Sequence, residues 1–268
     1  MARFIDCSHN MLFSLNRDKW NADLAKSGIA DLVGYQEAGG DNTRAVLAAW
    51  CKAHGFGLYH PAGTSNPIGW KTAVFSEILR ESDKKPVQGQ KDVHPSAISM
   101  GVDYKYNPAG DFTWKGLLHK ASGQKILLVN VHAPAGATNP NSPHPPALEK
   151  WKNWAAGQYW LDVISFVTRY ASVGTSDPKA QRSYWDVILL GGDYNGDLLR
   201  QNTDEWYYPS RILQGLFPDD SNVRGLDHLQ HMYGGDVKPV RRWSVAGNTD
   251  HRIHFITREF VEVTDFPT

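Results

Sequence analysis

Short apolar runs that stop abruptly at an acid, an amide or a histidine constrain this chain more than any other feature. Leu32-Val33-Gly34-Tyr35-Gln36 ends at Glu37, the run 126–131 ends at His132, and the run 187–192 ends at Asp193-Tyr194-Asn195. The first run of the chain ends at His9-Asn10, and Gly225-Leu226-Asp227 and Thr249-Asp250-His251 set further polar groups beside C-terminal runs. Apolar runs of this length, bounded by turn-forming residues, read as strands. Lys125–His132 is so uniformly apolar that burial on both faces is expected.

Between the strands lie three segments of helical spacing. Residues 18–27 carry Trp20, Leu24 and Ala25 and stop at Gly28. Residues 41–54 carry Val46, Leu47, Trp50 and Cys51 on one stripe. Residues 147–170 carry Trp151, Trp154, Leu161, Ile164 and Val167. Further strands are expected at 3–10, 56–60, 68–75, 78–81, 96–104, 112–120, 226–233, 237–243 and 252–256, with a charged loop at 82–92 and a Pro/Asn/Gly loop at 134–146. Helices set between β-rich stretches predict an α+β sandwich, two packed sheets with helices outside. No composition break divides the chain, so 1–268 is expected to be a single domain.

Composition narrows the function. Lys plus Arg and Asp plus Glu are 28 each, so no global basic field draws the chain onto nucleic acid; such binding needs a local patch or a metal. Two local basic clusters exist, Lys238/Arg241/Arg242 and Arg80/Lys84/Lys85/Lys91. Two isolated cysteines, Cys7 and Cys51, make neither a disulfide framework nor a zinc site and read as buried thiols. No N-terminal apolar stretch suggests a signal peptide, and no window approaches the ~20 apolar residues of a membrane span. A cytoplasmic, monomeric protein without membrane contact is the expectation.

Carboxylates and amides at strand ends are the oxygen ligands that Mg²⁺ or Mn²⁺ prefers, and rigid strands hold such groups in place. Histidines among them can work as acid and base near neutral pH. The residues therefore point to a hard-metal hydrolase.

In chain order, Ser8-His9-Asn10, Tyr35-Gln36-Glu37, Val129-Asn130-Val131-His132, Gly192-Asp193-Tyr194-Asn195, Leu226-Asp227-His228 and Thr249-Asp250-His251-Arg252 resemble the motifs of the endonuclease/exonuclease/phosphatase superfamily. Each is weak alone; all six in family order, spanning nearly the whole chain, are specific. The resemblance implies a four-layer α/β/β/α, deoxyribonuclease I-like fold and a metal-dependent phosphodiester hydrolase. Most directly it implies a nuclease cutting DNA or RNA with Mg²⁺ or Mn²⁺, so nucleic acid is the expected partner. A phosphatase or a small-molecule or lipid phosphodiesterase on the same site is the alternative.

The roles carried over are these. Glu37, Asn10 and Asp250 are the metal-side group. Asp193 and Asn195 position the attacking water and the phosphate. His251 is the general base, Asp227 orients a histidine, and His132 binds the phosphate or protonates the leaving oxygen. His132-Ala133-Pro134 is closest to the deoxyribonuclease I style, yet Pro67-Ile68-Gly69-Trp70-Lys71 lacks the acid that would partner the first histidine there. His9, His228, His231, His254 and Trp70 read as structural.

Overall fold

A computed structural model describes residues 2–12, 15–93, 110–134, 146–171, 185–195, 227–232, 237–249 and 251–260. Among these the elements run β1 (Arg3–Asn10), α1 (Arg17–Ser27), β2 (Leu32–Gln36), α2 (Asp41–Ala53), β3 (Phe56–Tyr59), β4 (Ile68–Lys71), β5 (Phe75–Glu77), β6 (Gln88–Val93), β7 (Gly110–His119), β8 (Lys125–His132), α3 (Pro146–Ala171), β9 (Val187–Asp193), β10 (Asp227–Met232), β11 (Val237–Ala246) and β12 (Arg252–Phe260). One sheet has the order β11-β12-β1-β2-β4-β3. The other runs β10-β9-β8-β7-β5, with β6 also paired to β7.

Strand alternation explains the layers. In β1, Cys7 packs toward Trp20, Leu24, Leu47 and Trp50 of α1 and α2, whereas Phe4 faces the second sheet. In β8, Leu127, Val129 and Val131 pack on Tyr159, Trp160 and Val163 of α3, whereas Ile126 and Leu128 face the first sheet. In β9, Ile188 and Leu190 turn to α3, and Val187 and Leu189 turn inward. Three apolar cores thus separate four layers: α1 and α2, the first sheet, the second sheet, and α3. This is the α/β/β/α sandwich the sequence led us to expect.

Pairing direction gathers the polar strand ends. β1 runs parallel to β2, bringing Asn10 level with Gln36; β8 runs parallel to β9, bringing His132 level with Asp193. β12 is antiparallel to β1, so its N-terminal end returns to the edge where β1 finishes. β10 is antiparallel to β9 and sets Asp227 opposite Asp193. Six strands from two sheets therefore bring candidate residues to one rim.

Three local expectations differ from the structure. The stretch 68–75 is two strands, β4 and β5, in different sheets, because the chain crosses the sandwich between Lys71 and Phe75. The expected loop 82–92 holds most of β6, whose charged residues are tolerated because, among the described residues, it pairs on one side only; Lys91 reaches Asp162 of α3 at 3.0 Å. The expected strand 78–81 reduces to one bridge, Leu79 to Pro86. The stretch 96–104 and most of the 134–146 loop lie outside the described residues. Cys7 and Cys51 are buried free thiols, and burial pushes Cys51 up to about 12. Among the described residues no helix is long and apolar enough to cross a membrane.

Candidate active site

The rim is built on a buried amide lattice that joins the sheets. Ser8 Oγ donates to Gln36 Oε1 at 3.2 Å, and Gln36 Nε2 donates to Asn130 Oδ1 at 2.7 Å and to Gly34 O at 3.0 Å. Asn130 Nδ2 in turn donates to Tyr35 O at 2.6 Å and to Pro67 O at 3.0 Å. Asn130 comes this close because position 34 is glycine: a Cβ there would stand 2.7 Å from its Oδ1.

One or two residues further along the same strands sit the candidate catalytic groups. Asn10 Nδ2 donates to Glu37 Oε1 at 3.1 Å and to Asp193 Oδ2 at 3.2 Å, bridging the two carboxylates, while its Oδ1 accepts from Leu12 N at 3.0 Å. Asp193 Oδ1 accepts from Asn195 N at 2.8 Å, and Asn195 Nδ2 donates to Ala133 O at 2.7 Å. The same Oδ2 that accepts from Asn10 also faces two imidazoles, 3.8 Å from His132 Nε2 and 3.7 Å from His251 Nε2. Both separations exceed a hydrogen bond and suit a bridging water or a substrate oxygen.

The backbone is bent to achieve this. Glu37 (φ 55°), Asn195 (φ 47°) and Leu12 (φ 44°) are left-handed non-glycine residues in or beside the group. Such conformations cost on the order of 1–2 kcal/mol each and persist where the surroundings over-determine them. Gly192, just before Asp193, has φ 142°, and a Cβ there would fall 2.0 Å from Val131 O, so only glycine fits.

Asn10 differs from the expectation of an oxygen ligand: its amide nitrogen faces the carboxylates and its oxygen is used by the backbone. Glu37, Asp193, Asn195, His132 and His251 lie together at the rim. Asp227 occupies the ladder position opposite Asp193, its side chain being outside the described part, and Asp250 lies outside the described residues. His9, one residue from the site, points away, with Nδ1 3.1 Å from Ser27 Oγ; burial holds it down at about 4, against the raising pull of Asp23.

A ligand atom from each of Glu37, His132 and Asp193 lies within 4.8 Å of the others. Among the described residues no Lys or Arg pairs with either carboxylate; the nearby counter-groups are the Asn10 amide and the two imidazoles. Two converging carboxylates without a fixed cation are the donor set a hard divalent metal requires, so the residues fit one.

No protein-family model and no curated protein sequence matches the chain. Solved structures do. A Bacteroides vulgatus endonuclease/exonuclease/phosphatase is 13% identical, covers 97% of this chain and 100% of its own, and has a TM-score of 0.64. TDP2 of D. rerio, complexed with single-strand DNA product, is 12% identical, covers 97% and 100%, and scores 0.60. A Bacteroides thetaiotaomicron mannosyl-6-phosphatase is 14% identical, covers 96% and 99%, and scores 0.60. This chain has the endonuclease/exonuclease/phosphatase fold.

Within that fold, two acids that the sequence did not single out brace the site. Asp111 sits opposite His132 in the β7–β8 ladder. Its carboxylate accepts from Thr64 Oγ1, from Ser65 N at 3.2 Å and from Asn66 Nδ2 at 2.6 Å, fixing the loop before β4. Its carbonyl accepts from Tyr159 OH at 3.0 Å, and that hydroxyl accepts from His132 N at 3.1 Å. Burial pushes the Tyr159 phenol well above its ordinary range, so it stays a donor. An acid therefore stands beside the first histidine, but its carboxylate ties down the 64–66 loop rather than the ring.

Asp23 of α1 is the second acid. Nearly fully buried, it accepts from Asn248 N at 2.7 Å, Asn248 Nδ2 at 2.8 Å and Lys26 Nζ at 2.8 Å. Thr249 then closes on His251, Oγ1 donating to His251 O at 2.9 Å and accepting from His251 N at 3.0 Å. Helix α1 thus clasps the turn that presents His251. An Asp one turn before a helix end gives no hint of a partner 225 positions away.

Proposed function

We propose that this chain is a divalent-metal-dependent phosphoesterase that hydrolyses a phosphate ester by direct attack of water at the Glu37–His132–Asp193–His251 cluster. The convergence of two carboxylates, without a fixed counter-cation among the described residues, beside two imidazoles that face one carboxylate oxygen supports this reading above all. Glu37 and Asp193 would hold Mg²⁺ or Mn²⁺, which when bound supplies charge neutralisation for the phosphate and its transition state.

The protein's own groups divide the remaining work. Asp193 is fixed through Oδ1 by Asn195 N, so Oδ2 is oriented to steer water or to stabilise an imidazolium. His251 takes the proton of the attacking water. His132, on the other side of the same oxygen, binds the phosphate and returns a proton to the leaving oxygen. Asn10 keeps the carboxylates at a fixed separation, and Asn195 Nδ2, tied to Ala133 O, fixes the turn after Asp193. Asp250 and Asp227 are proposed, from the resemblance alone, as a second acid near the metal and as the partner that orients His251.

Two substrate readings follow. A nuclease is favoured by the deoxyribonuclease I-like motif style and by the shared fold with TDP2, which has been seen with single-strand DNA product. A phosphatase of small esters is favoured by zero net charge and by the shared fold with a mannosyl-6-phosphatase. The chemistry common to both is tested by assaying activated phosphate mono- and diesters with Mg²⁺, Mn²⁺ or EDTA. EDTA should abolish turnover and added metal restore it; turnover indifferent to EDTA would refute the metal-dependent mechanism.

A further inference from the structure

A cleft of about 900 Å³ opens beside Glu37 and His132. Leu15 and Trp20 line it, as do the uncharged polar residues Asn42 and Ser65 and the acid Asp41. We infer that this cleft receives the alcohol half of a small phosphate ester, a polyhydroxylated ring of the sugar-phosphate kind, rather than a polynucleotide strand. This rests on the phosphoesterase reading and names its substrate class.

Volume comes first. Cavities of roughly 300–1,000 Å³ suit a small molecule, whereas a polynucleotide needs an extended groove that tracks its phosphates. Charge points the same way. Polynucleotide affinity is carried by Lys and Arg on successive phosphates, and among the described residues lining the cleft there is neither, while Asp41 would repel a flanking phosphate. Asn42, Ser65 and Asp41 instead offer the donors and acceptors that hydroxyl groups need, and Leu15, with the edge of the largely buried Trp20, adds apolar surface for the C–H groups of a ring.

Nearby cations are otherwise engaged. Arg44, behind the cleft wall, donates to Gly39 O at 3.2 Å, Pro61 O at 2.8 Å and Thr64 O at 2.7 Å. Arg252, next to His251, donates to Ser244 Oγ at 2.8 Å. Arg17 lines a smaller cavity of about 370 Å³ that shares Leu15, Trp20 and Asn42 with the cleft; one cation there could meet one further anionic group, not a chain of them.

Strand register carries Lys238, Arg242, Lys84 and Lys85 away from the rim, whereas Lys91, which pairs with Phe112 next to the Asp111–His132 end, is held by Asp162 at 3.0 Å. Lys238 pairs with Glu259, which pairs with Arg3, seven residues or about 23 Å along β1 from Asn10. Arg242 pairs with Ile256 and so with Asp6, four residues or about 13 Å from Asn10 and two strands out. The turn carrying Lys84 and Lys85 follows β5, whose Glu77 pairs with Leu117, six residues or about 20 Å along β7 from the Asp111–His132 rim.

The test compares kcat/KM, with Mn²⁺ present, for hexose monophosphates, a glycerophosphodiester, single-stranded DNA and RNA oligonucleotides and bis-(p-nitrophenyl) phosphate, at 50 and 300 mM NaCl. The expected result is a hexose or glycerol ester preferred at least tenfold over either oligonucleotide, with less than a twofold change across the salt range. Asn42→Ala, at an exposed position, should raise KM for that ester about tenfold with kcat little changed. Oligonucleotides preferred, with activity falling steeply in salt, would overturn the inference while leaving the phosphoesterase reading intact. If none of these mono- or diesters is turned over with any metal, the phosphoesterase reading fails, and the inference with it.

Discussion

Two polar groups lie one above the other on the same strands, and they are built to opposite rules. In the lower group, Ser8, Gln36 and Asn130 are buried and bond one another and neighbouring carbonyls, with nothing charged among them. In the upper group, Asn10, Glu37, His132 and Asp193 stand one or two residues further on, joined by His251, with two carboxylates drawn together and the His132 and His251 rings 3.8 and 3.7 Å from Asp193 Oδ2. A satisfied network rigidifies; an under-compensated one is poised for a ligand. The contrast teaches that the sandwich concentrates its polar cost at one end, where the lower group holds the upper one still.

That contrast can be broken by substitution. The largest effect is expected from Asp193→Ala, which removes the oxygen shared by both histidines: turnover should fall about 10³-fold, read by steady-state assay, with the melting temperature barely lowered. A stability loss large enough to unfold the chain would show that the upper group is structural after all. Asn130→Ala should do the reverse. It leaves Tyr35 O, Pro67 O and Gln36 without their partner and should cost about 2–4 kcal/mol in urea unfolding, with activity per folded molecule changing far less.

A pH series sharpens the comparison from the neighbouring face. His9 lies between Ser8 and Asn10 but turns into the α-helical side, where burial holds it at about 4. Its folded value is below the unfolded one, so its contribution is complete above about pH 6.5 and is lost as pH falls toward 4. The loss should reach about 3 kcal/mol, read by urea unfolding between pH 7 and 4. Replacing His9 by Asn should flatten that dependence; an unchanged slope would assign it elsewhere. The smallest effect is expected from the clasp on His251. Asp23→Ala should lower kcat roughly tenfold with KM unchanged, and Asp23→Asn should recover part of it. A loss confined to stability would make Asp23 an ordinary helix-packing residue.

The sequence made legible whatever depends on local order. Lys125–His132 and Val187–Asp193 announce buried strands and, at their last residues, polar groups without an apolar reason to be there. Asn10, Glu37 and His251 were legible because each follows a strand run or sits beside one. What escaped depends on pairing across the chain. Asp23 is one acid on an amphipathic helix until α1 meets the turn at Asn248, and Asp111 is a strand-start residue until the loop at 64–66 folds over it. The donor role of Asn10 was hidden for a similar reason: an amide reads as either oxygen or nitrogen until its neighbours are known. β6 was missed because a strand that, among the described residues, pairs on one side only tolerates charge, and its charges read as loop.

The central claim is that Glu37 and Asp193 together hold one divalent cation. Calorimetric titration of Mn²⁺ into the metal-free protein, the Glu37→Gln variant and the Asp193→Asn variant tests it most directly. The account expects one Mn²⁺ per chain in the parent, weakened at least tenfold in each variant while their melting temperatures stay close to the parent's. Equal Mn²⁺ affinity in all three proteins would contradict it.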